Sequence, residues 1–176
     1  MIKNIVFDLG DVLLEFKPER YLERKFSDPA KCRRLYEAIF FIMITEEEAV
    51  RRVSLRIPLY ADYVKKAMDQ WHFDLTPIAG MPELIKQLKE DDYKIFLLSN
   101  TSLRFYSYYN KLDMLRCFDG FVISAKERLL KPDPAIYKRL YSRFGLKSQE
   151  CLFIDDLPQN IEGAKKVGFH AHLFRG

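Results

Sequence analysis

Long apolar runs are missing from this chain: no stretch approaches the ~18 consecutive residues that would span a bilayer, and no cleavable signal precedes the first strand pattern. Those absences predict a cytoplasmic protein with no membrane attachment. Cysteine is scarce. Cys32, Cys117 and Cys151 are odd in number, widely spaced and set among apolar neighbours, which fits reduced core thiols better than bridges or a metal knuckle. There is also no long tract of one charge. Lys and Arg number 29 against 25 Asp and Glu, a net +4, and the short basic clusters at Lys31 to Arg34 and Arg51-Arg52 lie inside helical patterns. Solvated helix faces account for them, so no nucleic acid is expected, and nothing calls for an obligate protein partner. What the chain does have is apolar mass: 48% hydrophobic residues and 14 Phe in 176 positions. That supports one catalytic domain of ordinary size plus something small.

The organising stretch is Ile5 to Leu14, Ile-Val-Phe-Asp-Leu-Gly-Asp-Val-Leu-Leu. Ile5, Val6 and Phe7 form the short apolar run of a strand buried on both faces, and Asp8, Gly10 and Asp11 end it. Ligands bind beyond the carboxyl ends of the strands of an open α/β sheet, so Asp8 stands where an active site would open. Taken alone, Asp8 and Asp11 could equally shape a strand-to-loop turn.

From Pro18 to about Ile78 the pattern turns helical. Cys32, Leu35, Tyr36, Ile39, Phe40 and Met43 make one apolar face, Thr45 with Glu48 a capping box, and Tyr60, Tyr63, Val64, Ala67, Met68 and Trp71 another stripe. Residues 17–78 are therefore expected to form a small helical cap inserted after strand 1, with 1–16 and 79–176 as the core. Beyond Gly80 helix and strand alternate. Pro82 opens a helix, Tyr93 to Leu98 is a strand, Phe105 to Leu112 a helix, and Phe121 to Ile123 a strand. Asp133-Pro134 starts a helix ended by Gly145, and strands follow at Cys151 to Ile154 and Phe169 to Phe174. Such alternation predicts an α/β fold with a Rossmann-like, doubly wound parallel sheet.

Three of these strands end in polar groups: Asp8, then Ser99-Asn100, then Asp155-Asp156. Carboxylates and a hydroxyl gathered on one sheet edge suit a hard cation and a phosphate, because Mg²⁺ prefers oxygen ligands. Lys131, ahead of the rigid bend Pro132-Asp133-Pro134, supplies positive charge.

On these residues the chain resembles the haloacid dehalogenase-like hydrolase superfamily, the aspartate-nucleophile phosphatases with a helical cap after the first strand. Asp8 to Val12 matches the first motif, Ser99-Asn100 the second, Lys131-Pro132 the third, and Asp155-Asp156 with Asn160 the fourth. The pieces Asp-Leu-Gly, Leu-Ser-Asn-Thr and Lys-Pro-Asp-Pro-Ala-Ile-Tyr look like a subgroup that includes bacterial glucose-1-phosphate phosphatases. The resemblance implies that Asp8 attacks phosphorus and forms an aspartyl-phosphate. Asp8, the Gly10 carbonyl and Asp156 would hold Mg²⁺, with Asp155 a further ligand or a supporting partner. Ser99 and the Asn100 N–H would bind the phosphoryl group, and Lys131 would stabilise its charge. Asn160 would hydrogen-bond behind the ligands or at a helix start. The implied substrate is a small phosphorylated metabolite, a sugar phosphate being favoured.

The sequence departs from the family at three places. Most of its phosphatases carry Asp where this chain has Gly10, and that group protonates the leaving oxygen, help worth about 10²–10⁴ in rate. Asp11 lies one position further, where an extended segment would turn its side chain to the other face. The cap around Phe40 to Ile44 looks shorter than usual, and the chain stops at Gly176, where relatives commonly add a closing helix. Gly10 keeps two alternatives open: a catalytically idle binding or regulatory protein, and a dehalogenase-type carbon-centred hydrolase. The retained Asp155-Asp156 pair argues against the latter, which needs no metal.

Overall fold

The structure, a computed structural model, describes residues 1–16, 51, 55 and 75–176. The chain divides into two compact units, Met1–Glu15 with Thr76–Gly176, and Phe16–Leu75. Only the first is described in full. The stripes and the capping box expected within 17–78 fall almost wholly outside the described residues, as does Cys32. No helix among the described residues is long and apolar enough to cross a membrane.

Five parallel strands build the sheet of the first unit. They are β1 (Asn4–Phe7), β4 (Lys94–Ser99), β5 (Gly120–Ile123), β6 (Cys151–Asp155) and β7 (His170–Leu173), in the spatial order β5-β4-β1-β6-β7. The oldest part of the chain in sequence order is thus central in space, with β4 and β6 on either side of β1. Phe7 pairs with Leu97 on one side and Ile154 on the other. Two short strands, β2 (Leu14–Glu15) and β3 (Thr76–Pro77), pair antiparallel where the chain leaves and re-enters this unit.

Strand alternation sorts the sheet into two buried faces. Val6, Phe96, Leu98, Val122, Cys151 and Phe153 share a core with Ile136, Tyr137 and Leu140 of α4 (Pro134–Phe144) and Ile161 and Ala164 of α5 (Pro158–Lys166). Ile5, Phe7, Ile95 and Leu97 point the other way and are also buried; on that side α1 (Met81–Glu90) packs on β4 and buries Met81 and Ile85. Helices on both faces make the sheet doubly wound, as the alternation predicts. The ends of α4 are those read from the sequence: the Asp133 side chain accepts from Ala135 N at 2.8 Å, and Gly145 closes the helix at φ 64.

Two expectations change. The helix expected over Phe105 to Leu112 is one turn, α2 (Phe105–Tyr108), followed by 3₁₀ turns at Tyr109–Lys111 and Asp113–Cys117. Phe105 is fully buried against Tyr106, Tyr108, Tyr109 and Phe121, and Leu112 is extended at φ −106, ψ 101, so aromatic packing overrides a weak helical stripe. Cys151 is the expected buried thiol, its pKa pushed up to about 11 by burial, whereas Cys117 is exposed at the end of its 3₁₀ turn.

One contact fixes the distance between α5 and the loop before α4. A Cβ on Gly163 would stand 2.7 Å from the Pro132 carbonyl oxygen, closer than such atoms approach, and 3.0 Å from the Tyr137 hydroxyl, a tight contact that the phenol would have to relieve. Gly163→Ala is expected to lower stability by about 1–3 kcal/mol, the usual cost of overpacking. Urea unfolding checks this; an unchanged midpoint would show that the helix and loop are not in forced contact.

Candidate active site

Asp8 follows β1 directly, Ser99 ends β4 and Asp155 ends β6, so three neighbouring strands deliver their last side chains to one edge. The main chain fixes Asp8 there by donating from its N–H to the Ile154 carbonyl at 2.9 Å. Asp8, Ser99, Asp155 and Asn160 are all buried, and so is Lys131 at 2% exposure. A lysine that deep needs partners. Its Nζ donates to Asp155 Oδ2 at 2.6 Å and lies 2.7 Å from Asp8 Oδ1, a charge contact outside good hydrogen-bond angles. The ring of Phe153 lies beneath the ammonium, 5.4 Å to its centroid.

Asp155 is occupied on both oxygens. Beyond Lys131, its Oδ1 accepts from Leu157 N at 2.9 Å, and Asn160 Nδ2 donates to Oδ1 and Oδ2 at 3.0 and 3.1 Å. The first turn of α5 therefore serves the site: its N-terminal flank, Leu157, has no capping side chain, and Asp155 takes the Leu157 N–H instead. Asn160 makes the supporting hydrogen bond that the sequence suggests. Tyr137, which sequence reading places only in the core of α4, donates its hydroxyl to the Asn160 carbonyl at 2.8 Å. Burial and the charges of Asp155 and Asp8 hold that phenol far above its ordinary pKa.

Asp156 is the less crowded carboxylate. Burial, then the charges of Asp8 and Asp155, push its pKa up to about 6. Asp8 is also raised, chiefly by burial, with Lys131 opposing and Asp155 adding to the rise. Carboxylate oxygens of Asp8, Asp155 and Asp156 lie within 4.8 Å of one another. Three carboxylates facing one ammonium leave negative charge in a partly dry crevice, and an all-oxygen donor set with surplus charge fits a hard divalent cation such as Mg²⁺.

Asp11 does not lie in extended backbone. It adopts φ 52 in the turn after β1, with its N–H donating to the Leu14 carbonyl at 2.8 Å, so strand alternation does not set its direction. Its charge is near enough to contribute to the raised pKa of Asp156.

The chain matches the haloacid dehalogenase-like hydrolase family over residues 2–168, and it belongs to that family. It is similar to the glyceraldehyde 3-phosphate phosphatase of Pyrococcus abyssi, 25% identical across 99% of this chain and 82% of that one. Its fold matches a family enzyme from Bacteroides thetaiotaomicron crystallised with magnesium and inorganic phosphate, TM-score 0.73 at 21% identity, over 99% of this chain and 95% of that one. It also matches the L-2-haloacid dehalogenase of Xanthobacter autotrophicus, TM-score 0.77 at 17% identity, over 97% and 76%. The same fold thus carries phosphorus and carbon chemistry, and the site must decide between them.

The raised carboxylates give a pH signature. Asp156 binds a proton more tightly folded than unfolded, so the stability this contributes is full below about pH 3.8 and lost as pH rises through about 6. In chelator the protein is expected to lose stability across that window, and Asp156→Asn to reduce the loss. Thermal unfolding against pH tests this; identical profiles for parent and variant would contradict the site electrostatics.

Proposed function

We propose that this chain is a Mg²⁺-dependent phosphatase that hydrolyses a small phosphate monoester through an aspartyl-phosphate on Asp8. The observation that carries the reading is the ammonium of Lys131 set between Asp8 and Asp155, with Asp156 beside them at the mouth of the sheet. In this reading residues 1–16 and 79–176 are the catalytic core of a cytoplasmic enzyme and 17–78 its helical cap. Asp8, the Gly10 carbonyl and Asp156 hold the ion. Asp155 is better suited to anchoring Lys131, because both its oxygens already accept hydrogen bonds. Bound Mg²⁺ supplies Lewis-acid neutralisation of the phosphoryl oxygens.

The chain's own groups do the rest. Asp8 attacks phosphorus in line while the Ser99 hydroxyl and the Asn100 N–H orient the transferring group. Lys131 balances the negative charge that gathers as the bond to the leaving oxygen breaks, and after that a water molecule displaces Asp8 from phosphorus. A carbon-centred hydrolase would have no use for the surplus carboxylate at Asp156. The phosphatase is expected to release phosphate with Mg²⁺ and not with chelator, and Asp8→Asn to lower kcat at least ~10³-fold, since the amide is a poor nucleophile. Substantial turnover by that variant would remove the mechanism.

Gly10 bears on the substrate. Lacking the usual acid, the site favours esters whose leaving oxygen is already a stable anion, and the anomeric oxygen of a sugar 1-phosphate qualifies better than a primary alkoxide. The P. abyssi relative is named for a phosphorylated triose whose ester is primary, so it supports a small sugar phosphate as the size class and not the anomeric position. Gly10→Asp is expected to raise kcat/KM for primary alkyl phosphates by about 10-fold or more, and to raise it less for anomeric ones. Equal gains on one ester of each kind would sink the leaving-group argument.

A further inference from the structure

We propose that the Asn100 side chain is a positioning residue that aims Lys131, a duty separate from the phosphate contact of its backbone N–H. Its carboxamide is spent on one residue: Nδ2 donates to the Lys131 carbonyl at 3.0 Å, and Oδ1 accepts from the Lys131 N–H at 2.9 Å. The two ends of a carboxamide differ, so the opposite orientation would set donor against donor and acceptor against acceptor. This grip spans 31 positions of sequence and joins the loop after β4 to the loop before α4. The next residue ties the loop after β4 to a second neighbour. The Thr101 carbonyl accepts from Ser124 Oγ at 3.1 Å and from Ala125 N at 3.3 Å, in the short helix α3 (Ser124–Glu127) after β5.

Lys131 is therefore held at both ends. Its main chain is gripped by Asn100, and its ammonium is anchored by Asp155, which Asn160 in turn fixes. On the far side the Pro132 carbonyl rests against Gly163, leaving no slack for the loop to drift toward α5. The Asn100 amide thereby couples the strand end that offers Ser99 to the residue that balances charge on Asp8. A misplacement of about 1 Å in such a group costs on the order of 10²-fold in rate. The inference rests on the role given to Lys131 above, and its test separates the two.

The experiment is a double-mutant cycle on the full chain with saturating Mg²⁺: parent, Asn100→Ala, Lys131→Ala and both together. Alanine keeps the main-chain N–H at position 100, so any loss belongs to the side chain. Asn100→Ala is expected to lower kcat about 10- to 100-fold with KM changed less than about threefold. In the Lys131→Ala background the same change is expected to cost less than about twofold, because no ammonium remains to be misplaced. A merely structural role would cost the same in both backgrounds, and that result overturns the clamp. So does a kcat within about twofold of the parent for Asn100→Ala while Lys131→Ala is impaired. Parent-like turnover by Lys131→Ala would overturn both the clamp and the role of Lys131. Should turnover fall below detection, calorimetric binding of inorganic phosphate with Mg²⁺ completes the cycle: Asn100→Ala is expected to weaken it in the parent background and not in the Lys131→Ala background, and equal losses in both overturn the clamp. If Asn100→Ala does not fold, Asn100→Leu, of similar shape and without the donor and acceptor, replaces it, and Lys131→Met likewise stands in for Lys131→Ala.

Discussion

The Lys131 ammonium sits 2.7 Å from Asp8 and 2.6 Å from Asp155, with 1% of its side chain exposed, and the rest of the described unit is arranged to hold it there. Dehydrating a lysine and two carboxylates costs several kcal/mol per ion, and only close pairing with further hydrogen bonds offsets that cost. The sheet order meets this demand by placing β6 beside β1, so that Asp8 and Asp155 emerge from adjacent strands. The loop before α4 meets it from the third side. Removing one member of such a group typically costs about 3–5 kcal/mol, so isosteric changes such as Asp to Asn report on chemistry more cleanly than truncations.

The arrangement is deliberately unbalanced. Asp156 brings a third carboxylate; burial raises its pKa and that of Asp8 alike, with the charges of Asp8 and Asp155 adding to the rise at Asp156 and that of Asp155 to the rise at Asp8. A protein selected only for stability gains nothing from such crowding, and carboxylates perturbed by burial and by one another mark functional sites. Tyr137 and Asn160 show how the crowding is contained. The phenol fixes the carbonyl of the residue whose amide fixes Asp155, so α4 and α5 both end their work on one carboxylate.

Much of this was legible in the sequence, for a physical reason. Asp8, Ser99 and Asp155 are read from apolar runs that stop at polar residues, and strand ends are the places where a parallel sheet presents side chains to a ligand. Lys131 is legible through the prolines after it. The grip of Asn100 on Lys131 is not, because a contact across 31 positions leaves no periodic trace. Nor is the duty of Gly163, since a glycine inside a helical pattern signals close approach without naming the neighbour. Asp11 misleads for a related reason: strand alternation does not carry past Phe7, the end of β1, and Asp11 lies in a turn where φ is positive. The helix expected from Phe105 onward failed because four aromatic partners of Phe105 outweigh the propensity of a short segment.

The central claim, that Asp8 takes the phosphoryl group before water does, is tested most directly by acid-quenching the enzyme during turnover of a phosphate ester with Mg²⁺ and weighing its peptides. The account predicts a hydroxylamine-labile phosphoryl adduct on the peptide that contains Asp8, with solvent oxygen from heavy-oxygen water appearing in the released phosphate. Solvent oxygen incorporated into the Asp8 carboxylate, or an adduct on a different residue, would contradict it.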